Sequence, residues 1–170
     1  MTTTPCTSDF LAAIATEGTA RAAFAALHAQ IEKTVGAKIF TMTENVPEKN
    51  ASRRLYTSHP VEYPTSALKP NKPGETDWTD CVITHHNTYV ANDLATIDTV
   101  FPDAPLIDSL GCQSVINLPI IIGGQVIGTL NILHEAGWYT PERVAATEAL
   151  RLQATTAMLL SLALDAKEAA

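Results

Sequence analysis

Cysteine is scarce and odd in number. Cys6, Cys81 and Cys112 are the only three, too few for the disulfide framework of a small secreted domain. Long apolar runs are missing as well: no stretch reaches the roughly 18 to 20 residues of a membrane span, and no basic segment followed by an apolar core opens the chain. A reducing cytoplasm, with no membrane partner, is the expected setting. Basic charge is in short supply, 11 Lys and Arg against 18 acidic residues for a net charge of −7. Nucleic acid is therefore not expected as a partner, because phosphate neutralisation needs clustered cations. The sequence also lacks G-x-S-x-G, a P-loop and G-x-G-x-x-G, and His134–Glu135 has no second His to complete a zinc-hydrolase helix. Signature-bearing hydrolase, kinase and dehydrogenase chemistry has no footing, and no cofactor or metal is expected.

What remains is a chain of 170 residues, 46% apolar and 17% charged, which fits one domain large enough to bury about 70% of its unfolded surface without staples. Its cations are uneven. Lys49, Arg53, Arg54, Lys69 and Lys72 face a single acid, Glu62, over residues 49–72, whereas residues 73–142 contain no Lys or Arg. Such a patch in an acidic protein attracts a small anion or is an ordinary solvated loop.

Residues 1–18 read as a flexible or partly helical segment. Phe24, Leu27, Ile31 and Val35 recur at spacings of three and four, predicting a helix over 19–35 with Thr19 at its start and Gly36 just past its end. Strands follow at 38–43 and 53–59, separated by a turn at Pro47, Lys49 and Asn50. Pro60, Pro64, Pro70, Pro73 and Gly74 then forbid regular structure, and irregular connections of this length tend to cover binding sites. A short helix is expected over 77–86, a strand over 88–94 and a broken helix over 97–110. Two β-rich runs, 114–122 and 125–134, flank Gly123–Gly124 as a hairpin with a type I′ turn. Thr140 and Pro141 begin a last helix running to about 167. Its residues 152–164 are 13 consecutive uncharged positions, more apolar surface than one sheet face covers, so the expectation is packing on the first helix and on a second subunit.

This order of elements, with SVINLPIIIGGQVIGTLNILHEAGWYTPERV, resembles the GAF domain family over about residues 20–167. The matching features are Leu118–Pro119, the glycine turn, residues 126–128 and residues 139–142 before the last helix. The resemblance implies an α+β, PAS-related fold in one domain over 19–168. It would have an antiparallel or mixed central sheet, with helices from both chain ends on one face, often a homodimer interface. A loop and short-helix cover would close a ligand pocket on the other face. It implies small-molecule binding without naming the ligand. The cyclic-nucleotide signature and the Cys-His pair of bilin-binding members are absent. Free-methionine-sulfoxide reductases, lone enzymatic GAF domains of similar size, share Phe101–Pro102. Their catalytic cysteine would fall at Ile107, however, and their strand carboxylates correspond most nearly to Val115, Asn131 and Leu133. Cys112 lies five residues beyond Ile107.

Candidate site residues follow from strand periodicity. Regular pairing about Gly123–Gly124 would set Asn117 opposite Leu130, pointing away from Asn131. A one-residue bulge at Pro119 would instead gather Asn117, Thr129 and Asn131 on one face under the cover. Period-two alternation on 53–59 lets only one arginine look into a pocket, and Arg54 with Tyr56 is the expected pair, a guanidinium fork with an orienting phenol. Tyr63 and Trp78 would close the cavity. Cys81 and His85, four apart, have the spacing of paired ligands or of a thiol and its base, but two groups do not make a metal site. The expected function is a stand-alone small-molecule-binding protein of the sensor or regulatory kind. Its ligand would be anionic, held by Arg54, Tyr56, Trp78, Cys81, Asp93, Asn117, Thr129 and Asn131. The alternative is a single-domain enzyme in which Arg54 clamps a small acid and Asp93, His59 or Cys81 carries protons, with a thiol enzyme like the free-methionine-sulfoxide reductases, its cysteines displaced to Cys112 and Cys81, ranked below it.

Overall fold

The computed structural model describes residues 7–65, 67–71 and 76–168. Lys72, Pro73 and Gly74 of the basic, proline-rich segment, and Cys6, lie outside the described residues. Six antiparallel strands form one sheet in the order β3-β2-β1-β6-β5-β4. They are β1 (Ile39–Val46), β2 (Ala51–Thr57), β3 (Leu68–Pro70), β4 (Tyr89–Ala91), β5 (Ser114–Ile122) and β6 (Gln125–His134).

One face carries the helices α1 (Thr7–Glu17), α2 (Ala20–Thr34), α5 (Pro141–Glu148) and α6 (Arg151–Glu168). Thr19 caps α2 by accepting the Ala22 N–H at 3.1 Å, and Phe24, Leu27 and Ile31 are buried along one side, as their spacing requires. They meet Phe40 and Met42 of β1, Ile116, Leu118 and Ile120 of β5, and Leu130 and Ile132 of β6 in the main core. The opposite face is covered by the segment between β2 and β5. This cover contains a π-helical turn (Thr79–Thr84), α3 (Leu94–Val100) and α4 (Ala104–Ser109). A second core of Ile39, Tyr63, Val82, Tyr89, Ile97, Ile107, Val115 and Leu133 joins cover to sheet.

Three local expectations are revised. The last helix is two helices, because the Leu150 N–H turns back to the Thr147 carbonyl at 3.0 Å, a tightened turn that ends α5. The proline-rich stretch contributes β3, whose Pro70 lies on a sheet edge, where a missing N–H breaks no ladder. The hairpin turn has Gly123 at φ 59° and Gly124 at φ 74°, as type I′ geometry needs. Its bulge, though, sits on β6 rather than at Pro119: Ile120 pairs with Gly128 and Ile121 with Val126, so Ile127 is the extra residue. Pro119 pairs regularly with Thr129, since the bulge lies on the glycine-containing strand, which bends more readily.

Candidate functional site

A cavity of about 760 Å³ lies between the sheet and the cover. Alternation along the central strands builds its floor. Phe40 and Met42 go to the helices, so Thr41 and Thr43 of β1 face the cavity; Leu130 and Ile132 do the same for β6, leaving Thr129 and Asn131 on the cavity side. The Ile127 bulge brings Asn117 directly opposite Asn131, so both amides share that face. Ile39, Val115 and Leu133 add hydrocarbon, and Tyr63, Trp78, Ile83, Phe101 and Ile107 form the wall and roof.

The polar floor is one connected chain. Trp78 Nε1 donates to Asn117 Oδ1 at 3.0 Å, and Asn117 Nδ2 donates to Asn131 Oδ1 at 2.6 Å. Asn131 Nδ2 donates to both Thr41 Oγ1 (3.1 Å) and Thr43 Oγ1 (3.2 Å). Thr41, Asn117 and Thr129 are all buried.

Arg54 enters from β2, opposite Thr43. One of its five N–H donors is taken, by the Pro64 carbonyl at 3.2 Å, and the enclosed Nε–H has no acceptor among the described residues. Its guanidinium lies 4.9 Å from the centre of the Tyr63 ring. Burial pulls its pKa down, while Tyr63 and Asp103 act in the opposite direction; an arginine stays charged throughout. Tyr63 donates to Asp103 Oδ2 at 3.2 Å, and burial together with that carboxylate drives the phenol far up, so it remains protonated. Lys69 also lines the cavity but is solvent-exposed.

The structure thus brings Arg54, Trp78, Asn117, Thr129 and Asn131 to one cavity and leaves three expected residues elsewhere. Tyr56 lies on the helical face. Thr43 pairs with Arg54 and Met42 with Tyr56, so Leu55 is bulged out of the ladder and the two residues face opposite ways. Tyr56 packs on Phe24 and Phe40, and its hydroxyl is 3.4 Å from His28 Nδ1. Asp93 caps α3, accepting the Thr96 N–H at 2.8 Å in full solvent; those hydrogen bonds hold its carboxyl below the usual range. Cys81 turns to the carbonyls of Asn87 and Thr88, and burial, then Asp80, pushes its thiol up. His85 lies instead beside Asp80. The arginine not chosen, Arg53, pairs with Glu44 and Asp165.

Thr41 and Thr43 are the site residues the sequence reading passed over. Their signal was present in Phe40-Thr41-Met42-Thr43, a half-apolar alternation that marks one polar face. Among the described residues the cavity lining contains no cysteine or histidine. Cys112 is fully buried, with its thiol raised to about 11 by desolvation. Ile107, Val115 and Leu133 present hydrocarbon where the sulfoxide-reductase pattern would place a thiol and carboxylates.

A family model described as GAF domain matches residues 19–164. Among solved structures, the fold is similar to the GAF domain of an Acinetobacter phosphoenolpyruvate-protein phosphotransferase (9% identity, 93% of each chain covered, TM-score 0.69). It is similar also to the GAF domain of a phosphoenolpyruvate-protein phosphotransferase from Coxiella burnetii (14%, 94% of each chain, 0.67). A free methionine-R-sulfoxide reductase from Neisseria meningitidis, solved with its substrate, is similar over 92% of this chain and 88% of that one (15%, 0.64). At such identities the likeness speaks for fold alone. A search of curated proteins found no match.

Proposed function

The chain belongs to the GAF domain family, a small-molecule-binding and sensory fold, and we propose that it holds a small anionic metabolite between sheet and cover as a regulatory, signalling module. The observation that carries this is Arg54: a guanidinium on the cavity wall which, among the described residues, has no ion-pair partner and one hydrogen-bond acceptor, the Pro64 carbonyl. A half-buried cation that makes no ion pair among the described residues is poised for an anion to supply acceptors and charge. A binding role fits better than the enzymatic alternative, because the described lining contains no thiol or imidazole and the Thr41 and Thr43 hydroxyls sit on an amide rather than beside a base. The absence of any described helix long and apolar enough to cross a membrane, and two free thiols at Cys81 and Cys112, suit a reducing cytoplasm.

The module also works as a homodimer in this reading. Leu152, Thr156, Leu159 and Ala163 form an uncharged exposed stripe on α6, with Leu152 75% exposed. Side chains at these spacings share one helix face, and covering them with a second copy would bury apolar surface the monomer leaves in water.

The test is mass spectrometry of the small molecules that copurify with wild-type protein and with Arg54→Gln. An anion present in the first and lost from the second, with affinity lowered about 10- to 100-fold on adding it back, is the expected result, since hydrogen bonds to charged groups contribute ~1.5–3 kcal/mol. Retention of the same molecule at unchanged affinity by Arg54→Gln overturns the anionic reading.

A further inference from the structure

The polar floor has a direction that chemistry imposes. An indole N–H only donates, so the group Asn117 turns to Trp78 must be its carbonyl oxygen. That leaves the Asn117 NH₂ facing Asn131, which must answer with its own oxygen. Asn131 is then left with its NH₂ toward Thr41 and Thr43, and both hydroxyl oxygens act as acceptors. A hydroxyl that accepts on its oxygen still has one hydrogen to give, and neither threonine has an acceptor for it among the described residues. The hydroxyl of Thr129, a residue paired with Thr43 across the β1–β6 ladder, makes no side-chain hydrogen bond among them. The Trp78 indole, at one end of the chain, thereby fixes two hydroxyls at the other as donors into the cavity, next to a guanidinium that also only donates.

We propose that this floor is a seat for a carboxylate, received by the Thr41 and Thr43 hydroxyls with Arg54 as counter-ion, and that it rejects groups presenting N–H donors at the same place. The assignment rests on the anionic reading above and names its chemistry. Both hydroxyl oxygens lie within hydrogen-bonding reach of one nitrogen, so they converge on one small group. A single negative charge suits the half-buried Arg54 guanidinium, the one guanidinium on the described lining, and the Asp103 carboxylate, bonded to the Tyr63 phenol over whose ring Arg54 lies, opposes a second. Rejection of a donor follows from the same logic as acceptance: an amide NH₂ set against two fixed donors loses its hydration without gaining acceptors.

The experiment titrates the full chain with monocarboxylates from acetate to indole-acetate, with the primary amide of each, and with inorganic phosphate. Calorimetry and the shift in melting temperature are the readouts. At millimolar concentration at least one carboxylate is expected to bind, its amide and phosphate at least tenfold more weakly. Thr41→Val and Thr43→Val should each weaken that carboxylate about tenfold, while Thr41→Ser and Thr43→Ser, which keep the donor, should restore it. Asn131→Asp supplies a second handle that leaves no buried donor unmatched. A carboxylate there accepts from both threonines, turns their hydrogens away from the cavity, and should abolish binding with the fold kept. Amides binding as well as acids, phosphate preferred over every acid, no acid binding at all, or Val variants equal to wild type would each overturn the seat. Binding that needs Arg54 yet ignores both threonines would sink this inference while sparing the anionic reading; binding indifferent to Arg54→Gln would sink both.

Discussion

His28 sits where the helical layer meets β1. Its ring stacks on Phe40 with centroids 4.8 Å apart, and its Nε2 is 3.5 Å from Glu32. Burial pulls its pKa below the ordinary value of 6.5, Glu32 opposes this, and His59 adds to the lowering. His134, stacked on Trp138, is likewise lowered by burial, against the pull of Glu135 and with help from Lys38 and Arg143. A histidine whose folded pKa lies under its unfolded one binds fewer protons folded than unfolded between the two values, so stability rises with pH there. Stability is therefore expected to fall as pH drops below about 6.5, and His28→Gln should flatten the decline. Melting temperature followed from pH 7.5 to pH 5 checks this; an unchanged slope in His28→Gln would assign the effect elsewhere. Residue-scale reading of the sequence worked best where a side chain answers to its neighbours in the chain, as with the Thr19 cap. It failed for Asp93, whose carboxylate looked like a proton carrier and is the cap of α3, a role that the following Thr96 makes legible in retrospect.

Two bulges decide which residues the strands turn toward the cavity. Leu55 on β2 separates Arg54 from Tyr56, and Ile127 on β6 aligns Asn117 with Asn131. Neither leaves a mark on apolar periodicity, because QVIGTLNIL alternates equally well with or without an inserted residue. Next to the second bulge stands Gly128, where an added Cβ would collide with the Thr43 carbonyl and lie 2.6 Å from Met158 Cε of α6. Backbone cannot yield as a side-chain tip can, so Gly128→Ala should destabilise by about 2–3 kcal/mol through forced separation of β1, β6 and α6. Urea unfolding with an unchanged slope would give that value directly. A change below half a kcal/mol would show that the strand pair relaxes freely.

At the scale of the molecule, the helical layer presents Leu152 and Leu159 two turns apart on α6, 75% and 44% exposed. Burying a leucine side chain contributes ~1.5–3 kcal/mol, so the dimer read from this face should depend on both. Light scattering of the purified chain is expected to give twice the chain mass of 18.2 kDa, and Leu152→Glu with Leu159→Glu to give a monomer with the melting curve little changed. A wild-type monomer at working concentration, or a dimer untouched by both substitutions, removes that interface. Apart from β3 and the break between α5 and α6, the order of helices and strands was legible in the amino-acid sequence, as was the glycine hairpin, because each follows from contacts within a few residues or from a repeat of two or 3.6. The resemblance carried the rest of the outline. That Tyr56 does not follow Arg54 into the cavity, that the hairpin bulge sits at Ile127, and that Thr41 and Thr43 end a chain begun by Trp78 came only from the folded protein. Those facts depend on strand register and on partners up to 90 positions away in the chain, and a single inserted residue reverses them without altering any local preference.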